Sequence, residues 1–307
     1  MLAAGFRRGL LEGSVRLPWK ISIVAFMANP LLQREEQVDE TIRVLASDPF
    51  FDVIELHPMS EQAWRLAEPA IQAGGVDVVF GVQPLIINRG FNPSTLDEGE
   101  RRKAVEMLIE SAKLAASRGA RALAFCSGPD PGPADRGAAI DSLVRSIKEV
   151  AVEAGRLGVE LILETFDRDW DRRRLIGPLS DAVKVAEEVK AEFGNFGLLW
   201  DLSHAPMLNE SPHDLKRARD YLAHVHIGCA KRLPDGRLVD SHPGFYRPGA
   251  INGVEEVAEL IRVLLEIGYR RAVGFEVKPE EGQIWREPVE AAKGVLYTAL
   301  AKVAGEA

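Results

Sequence analysis

The chain has 307 residues, 46% of them hydrophobic and 27% charged, with 27 Gly, 18 Pro and a formal net charge of −8. That length and composition suit a globular protein with one large core, and they exclude a disordered or fibrous chain. The acidic balance and the lack of a long basic run argue against a nucleic-acid surface. Only two cysteines occur, Cys126 and Cys229, so a disulfide framework is not expected and a reducing cytoplasm is the default location. Met1–Pro18 carries Arg7, Arg8, Glu12 and Arg16 between apolar pieces too short for a signal segment, and it is read as an N-terminal extension. No apolar stretch is long enough to span a bilayer.

In chain order, Lys20–Met27 reads as a first strand, followed by a helix over Glu35–Leu45. Phe51–His57 is a second strand and Glu61–Gln72 its helix. V-D-V-V-F-G-V-Q, within Val76–Ile87, is a third strand that Pro84 stops. A long helix over Asp97–Arg118 leads to a fourth strand, Ala120–Cys126, and a turn-rich loop, Ser127–Gly137, leads to a helix over Ala138–Leu157. Val159–Thr165 is strand five and Ser180–Phe193 its helix. Strand six is the stretch Phe196–Ala205, F-G-L-L-W-D-L-S-H-A, an apolar run ending in Asp201 and His204, with a helix over Pro212–Tyr221. Strand seven is Leu222–Gly228, followed by a long loop, Cys229–Ile251, and a helix over Gly253–Ile267. Ala272–Val277 is strand eight, and Glu287–Val303 the last helix.

Eight strand–helix alternations predict parallel strands with helical crossovers. They close most simply into a single (β/α)8 TIM barrel of α/β class over residues 19–307, with 1–18 as an extension. A doubly wound open sheet is the alternative. The phosphate-binding glycine fingerprints of nucleotide folds do not occur, which removes the usual support for it.

Chemistry is expected where strands end in polar residues. Glu164 follows L-I-L, Asp201 follows L-L-W, Glu276 follows V-G-F, and His226 ends a fourth strand. An unpaired carboxylate in a buried strand is very costly, so three such acids call for a compensating charge. In a barrel the C-terminal strand ends share one mouth, and the four residues are expected to converge there on one divalent ion, Mn, Mg, Co or Zn. His204, three residues beyond Asp201, reads as a ligand, a proton shuttle or a hydroxyl contact. His224 shares a strand face with His226 and reads as a satisfied core histidine. Asp240 and His242, in V-D-S-H-P, hang from the same mouth. Lys278 reads as a charge partner of Glu276, and His57 with Glu55 is placed near the rim. Arg172, Arg173 and Arg174 form a compact basic cluster, either a solvated helix start or a clamp for phosphate or carboxylate.

This pattern resembles the xylose-isomerase-like barrels, which include sugar isomerases, ketose 3-epimerases and endonuclease IV. The matching motifs are L-E-T at Glu164, Asp-x-x-His at Asp201 and His204, H-V-H-I at His226, and the Glu at 276. The resemblance implies a metal set of Glu164, Asp201, His226 and Glu276, with Glu164 and Glu276 also acting as the acid/base pair. It implies a sugar isomerase or epimerase working on a ketose or related polyol through a metal-stabilised enediolate. His204, Asp240, His242 and Arg247 would contact the substrate. The expected partner is a small-molecule sugar, in a cytoplasmic protein without nucleic-acid or membrane partners that forms a homo-oligomer in many relatives. Metal-dependent lyase or dehydratase chemistry, including cleavage of carbon-linked sugars, is one alternative, and an endonuclease IV-like abasic-site nuclease is another. Endonuclease IV has an Asp-x-His like Asp240–His242, but Gln83 and Ser127 stand where two more of its zinc histidines align, and F-Y-R-P-G replaces its glycine segment.

Overall fold

The structure is a computed structural model that describes residues 3–8 and 11–306. The chain opens with an antiparallel hairpin of β1 (Ala3–Arg8) and β2 (Leu11–Arg16), apart from the barrel sheet.

The barrel strands are β3 (Ile21–Val24), β4 (Val53–Leu56), β5 (Asp77–Gly81), β6 (Ala122–Cys126), β7 (Glu160–Glu164), β8 (Phe196–Asp201) and β9 (Leu222–Ile227). After a two-residue ribbon of β10 (Lys231–Arg232) and β11 (Leu238–Val239), β12 (Ala272–Phe275) completes them. All eight pairings are parallel, and the sheet closes in the order β12-β3-β4-β5-β6-β7-β8-β9. The α/β barrel expected from the alternation is therefore the fold. Its helices are α1 (Ala25–Ala28), α2 (Val38–Ala46), α3 (Glu61–Gly74), α4 (Gln83–Arg89), α5 (Glu98–Ser117), α6 (Arg136–Arg156), α7 (Leu179–Lys190), α8 (Ala205–Leu208), α9 (Val254–Glu266) and α10 (Arg286–Glu306). Two starts come from capping: Ser60 accepts from Ala63 N ahead of α3, and Asp97 from Glu100 N ahead of α5. No helix among the described residues is long and apolar enough to cross a membrane.

Strand alternation sorts the side chains. Outward positions such as Ile23, Ile54, Phe80, Phe125, Leu163 and Trp200 join the main apolar core between sheet and helices. Inward positions carry Ala124, Ile162 and Leu199 on one side of the barrel and Ser22, Glu55, His224 and His226 on the other. β9 changes phase along its length. Leu198 pairs with Leu222 but Leu199 pairs with His224, so Ala223 is an extra residue, a β-bulge. Ala223 packs with the interior apolar cluster, and His224 and His226 still face inward beyond it.

Three elements differ from expectation. β5 ends at Gly81, and Pro84 lies in the first turn of α4 instead of stopping a strand, because a first-turn residue needs no N–H. The helix expected over Pro212–Tyr221 is a 3-10 turn, Pro212–Arg217, held by a Ser211–Asp214 capping box. The first strand stops at Val24, where the chain turns into α1.

Candidate metal centre

Barrel closure gathers the four strand-end residues. Glu164 ends β7, Asp201 ends β8 opposite His226 of β9, and Glu276 follows β12, its N–H donating to Ile227 O. One donor atom from each of Glu164, Asp201, His226 and Glu276 lies within 4.8 Å of the other three. His226 Nδ1 stands 2.8 Å from Glu276 Oε2, 3.9 Å from Glu164 Oε1 and 4.0 Å from Asp201 Oδ2. Three of the four are almost wholly buried, with Glu164 and His226 at 2% exposure and Asp201 at 0%.

The surroundings leave these groups short of positive charge. Glu164 Oε1 and Asp201 Oδ2 are buried without a hydrogen-bond partner. Their other oxygens are held: Gln83 Nε2 donates to Glu164 Oε2 at 2.7 Å, and Ser203 N donates to Asp201 Oδ1 at 2.7 Å. Burial and then Glu276 push the Glu164 carboxyl up to about 8. Burial also acts upward on Glu276, but His242 and His226 bring it down to about 2. A cation among the four would meet the two orphaned oxygens and relieve the repulsion. The oxygen-rich, one-imidazole donor set suits a divalent metal, so the residues fit the group.

A loop hub stands beside the centre. Asp167 takes hydrogen bonds from the N–H groups of Trp170, Asp171 and Arg172, which curls that segment over the barrel. Arg172 then reaches Asp240, its Nε 2.8 Å from Oδ2. His242 Nε2 donates to Asp240 Oδ1 at 2.6 Å, and His204 Nε2 lies 3.3 Å from the same oxygen. Burial lowers His242, but Asp240 and Glu276 outweigh it and raise it to about 9. His242 Nδ1 has no hydrogen-bond partner and stands 3.9 Å from Asp201 Oδ2. Asp201, His204 and His242 thus form a second cluster with metal-ligand spacing.

Glu164, His226 and Glu276 of the centre line a cavity of about 220 Å³, together with the apolar Phe26, Met27, Ile87 and Phe166. Arg172, Asp240, His242 and Lys278 complete its polar side. His204 lies deeper, its Nδ1 2.8 Å from Thr165 O. Arg247 does not line the cavity, and its Nε donates to Glu280 Oε2 at 2.8 Å. Of the four expected substrate contacts, Asp240 and His242 are therefore at the cavity, while His204 is behind it and Arg247 away from it. Arg172 and Glu55 line it instead. Glu55 carries a readable signal, an acid inside the strand V-I-E-L, whereas the placement of Arg172 depends on a loop fold.

A closed parallel barrel with clustered metal-ligand side chains at the C-terminal ends of its strands defines a class of TIM-barrel protein. The model of the xylose isomerase-like TIM barrel family matches residues 42–296, and the chain belongs to that family. A search of curated proteins finds no match. Among solved structures, the chain is similar to a D-psicose 3-epimerase with D-tagatose from Clostridium cellulolyticum H10, at 20% identity and TM-score 0.65, over 94% of this chain and 97% of that one. It is similar to the IOLI protein with a bound zinc atom, at 19% identity and TM-score 0.70, over 92% and 99% of the two chains. It is also similar to an AP endonuclease, family 2, from Brucella melitensis, at 20% identity and TM-score 0.63, over 90% and 98%. At these identities the likeness speaks for the fold.

Proposed function

We propose that the protein is a divalent-metal-dependent isomerase or epimerase of a ketose or related polyol, with Glu164 and Glu276 as its proton-transfer pair. The observation that carries this is the pair of orphaned oxygens, Glu164 Oε1 and Asp201 Oδ2, facing His226 Nδ1 and Glu276 on the floor of a small cavity. The likeness to sugar 3-epimerase structures supports the substrate class. When bound, the cation supplies Lewis-acid polarisation of a carbonyl and its neighbouring hydroxyl.

The chain's own residues do the rest. One glutamate takes the proton from the carbon beside the carbonyl, and the C–H electron pair becomes the double bond of an enediolate. The other glutamate returns a proton to that carbon, inverting it when delivery comes from the opposite face. Gln83 holds one oxygen of Glu164 and keeps the other turned to the floor. The aromatic and aliphatic wall keeps water from the carbanionic centre, and Arg172, Asp240, His242 and Lys278 offer donors and acceptors to hydroxyls.

Incubating the Mn²⁺-loaded protein with free ketoses and separating the products by chromatography tests this. Glu164→Gln and Glu276→Gln are both expected to abolish turnover with the fold intact by circular dichroism, and near wild-type turnover in either variant removes the pair. Release of water or an aglycone, seen by mass, would mark the metal-dependent lyase or dehydratase that shares the enediolate step. The second cluster, Asp201, His204 and His242, favours an abasic-site nuclease as a further alternative. Against it, Gln83 spends its amide on Glu164, and Ser127 Oγ accepts from Ile176 N. Cleavage of an abasic duplex with zinc supplied would decide for the nuclease.

A further inference from the structure

We infer that Glu55 is a positioning residue for the metal centre: it holds the ring of His226 by Nε2, so that Nδ1 is the nitrogen presented to Glu164, Asp201 and Glu276. This rests on the metal-dependent function proposed above. Glu55 is 3% exposed in the middle of β4, where a carboxylate is costly unless donors surround it. Three donors do. Ser22 Oγ lies 2.6 Å and His224 Nε2 2.9 Å from Oε1, while His226 Nε2 lies 3.1 Å from Oε2. Glu55 thus reaches from β4 past β3 and β12 to β9.

The strand between leaves room for that reach. Gly274 of β12 pairs with His226 on one side and with Ser22 on the other. A Cβ at Gly274 would collide with Ser22 Oγ and lie 2.6 Å from Glu55 Oε1 and 3.0 Å from His226 Cδ2. Glycine inside a strand weakens it, and here its vacancy accommodates the hydrogen-bonded group.

An ionised carboxylate only accepts, so the nitrogens facing Glu55 are donors. An imidazole that keeps its proton on Nε2 offers its lone pair at Nδ1, the tautomer a metal on the floor requires. His224 ligates nothing on that floor. With Ser22, it keeps Glu55 charged and aimed, which gives the first histidine of H-V-H a purpose distinct from that of the second.

The test uses Zn²⁺ alone as the probe, with wild type, Glu55→Gln, Glu55→Asp and Gly274→Ala. Titration calorimetry is expected to show Glu55→Gln binding Zn²⁺ roughly 10–100-fold more weakly, the range for losing a carboxylate behind a metal-bound histidine. Glu55→Asp should recover part of that loss, and Gly274→Ala should weaken binding without changing any polar group. In zinc-loaded wild type, nitrogen–proton spectra of histidine-labelled protein should find the His226 proton on Nε2. A Glu55→Gln affinity within twofold of wild type overturns the inference, as does a His226 proton on Nδ1. Glu55, His224 and His226 themselves have metal-ligand spacing, so a second zinc equivalent lost in Glu55→Gln, with the first unchanged, also overturns it. Failure of wild type to bind Zn²⁺ at all would instead remove the metal-dependent function.

Discussion

The interior of the barrel is two regions built on different physics. On one side Ala122, Ala124, Ile162, Leu199 and Ala223 fill the space with small and branched apolar groups. On the other, Ser22, Glu55, His224 and His226 fill it with a hydrogen-bonded set. Dispersion contacts are non-directional, so the apolar side tolerates changes that keep volume. The polar side is directional, and removing one partner leaves a buried charge or donor unpaired. Function gathers next to the intolerant region, where Glu164, Asp201, His226 and Glu276 add more charge than the protein alone neutralises.

Substitutions can break or sharpen this contrast. The largest effect is expected at Glu276→Gln, where turnover in the ketose assay should fall by roughly 10²–10⁴-fold, the usual weight of a positioned acid/base group. Glu164→Gln should melt at a higher temperature than wild type when both are metal-free, because it removes a carboxyl whose charge burial and then Glu276 disfavour, holding it up at about 8. An unchanged or lower melting point would mean that the cluster is not strained.

His57 sharpens the contrast among imidazoles. His224 and His226 share a carboxylate, whereas His57 Nδ1 is buried with no hydrogen-bond partner, and burial brings His57 down to about 4 against the pull of Glu35. Its folded pKa lies below the unfolded one, so its contribution is complete above pH 6.5 and is lost as pH falls through about 4. The loss across that window should reach about 3 kcal/mol, and denaturant unfolding of His57→Gln should show a flatter pH dependence. Next in size is Gly274→Ala on the polar side, expected to cost about 1–3 kcal/mol by overpacking. Smallest is Ile162→Val on the apolar side, at about 0.5–1.5 kcal/mol. If urea unfolding gave the two equal costs, the division of the interior would lose its energetic meaning.

The sequence made the barrel legible because each unit keeps a strand-length apolar run ahead of a helix, and the metal-type residues legible because each ends such a run. Glu55 carried the same signal in V-I-E-L, but its purpose depends on two histidines about 170 residues later, which only closure brings within reach. Loops are less legible for a related reason. Arg172 lines the cavity because Asp167 curls its segment, and Arg247 turns instead to Glu280; neither outcome is written in local pattern. Pro84 marks the other limit, since a proline can close a strand or open a helix depending on the residues after it.

The additional residue at Ala223 acts as a phase shifter. It lets one strand obey two alternation frames, a lower one that fills space and an upper one that aims imidazoles. Excising that single alanine would place His224 directly after Leu222 in one regular frame, opposite Leu199 and Leu198, so both rings would keep their inward aim while the apolar side of the interior lost a methyl group.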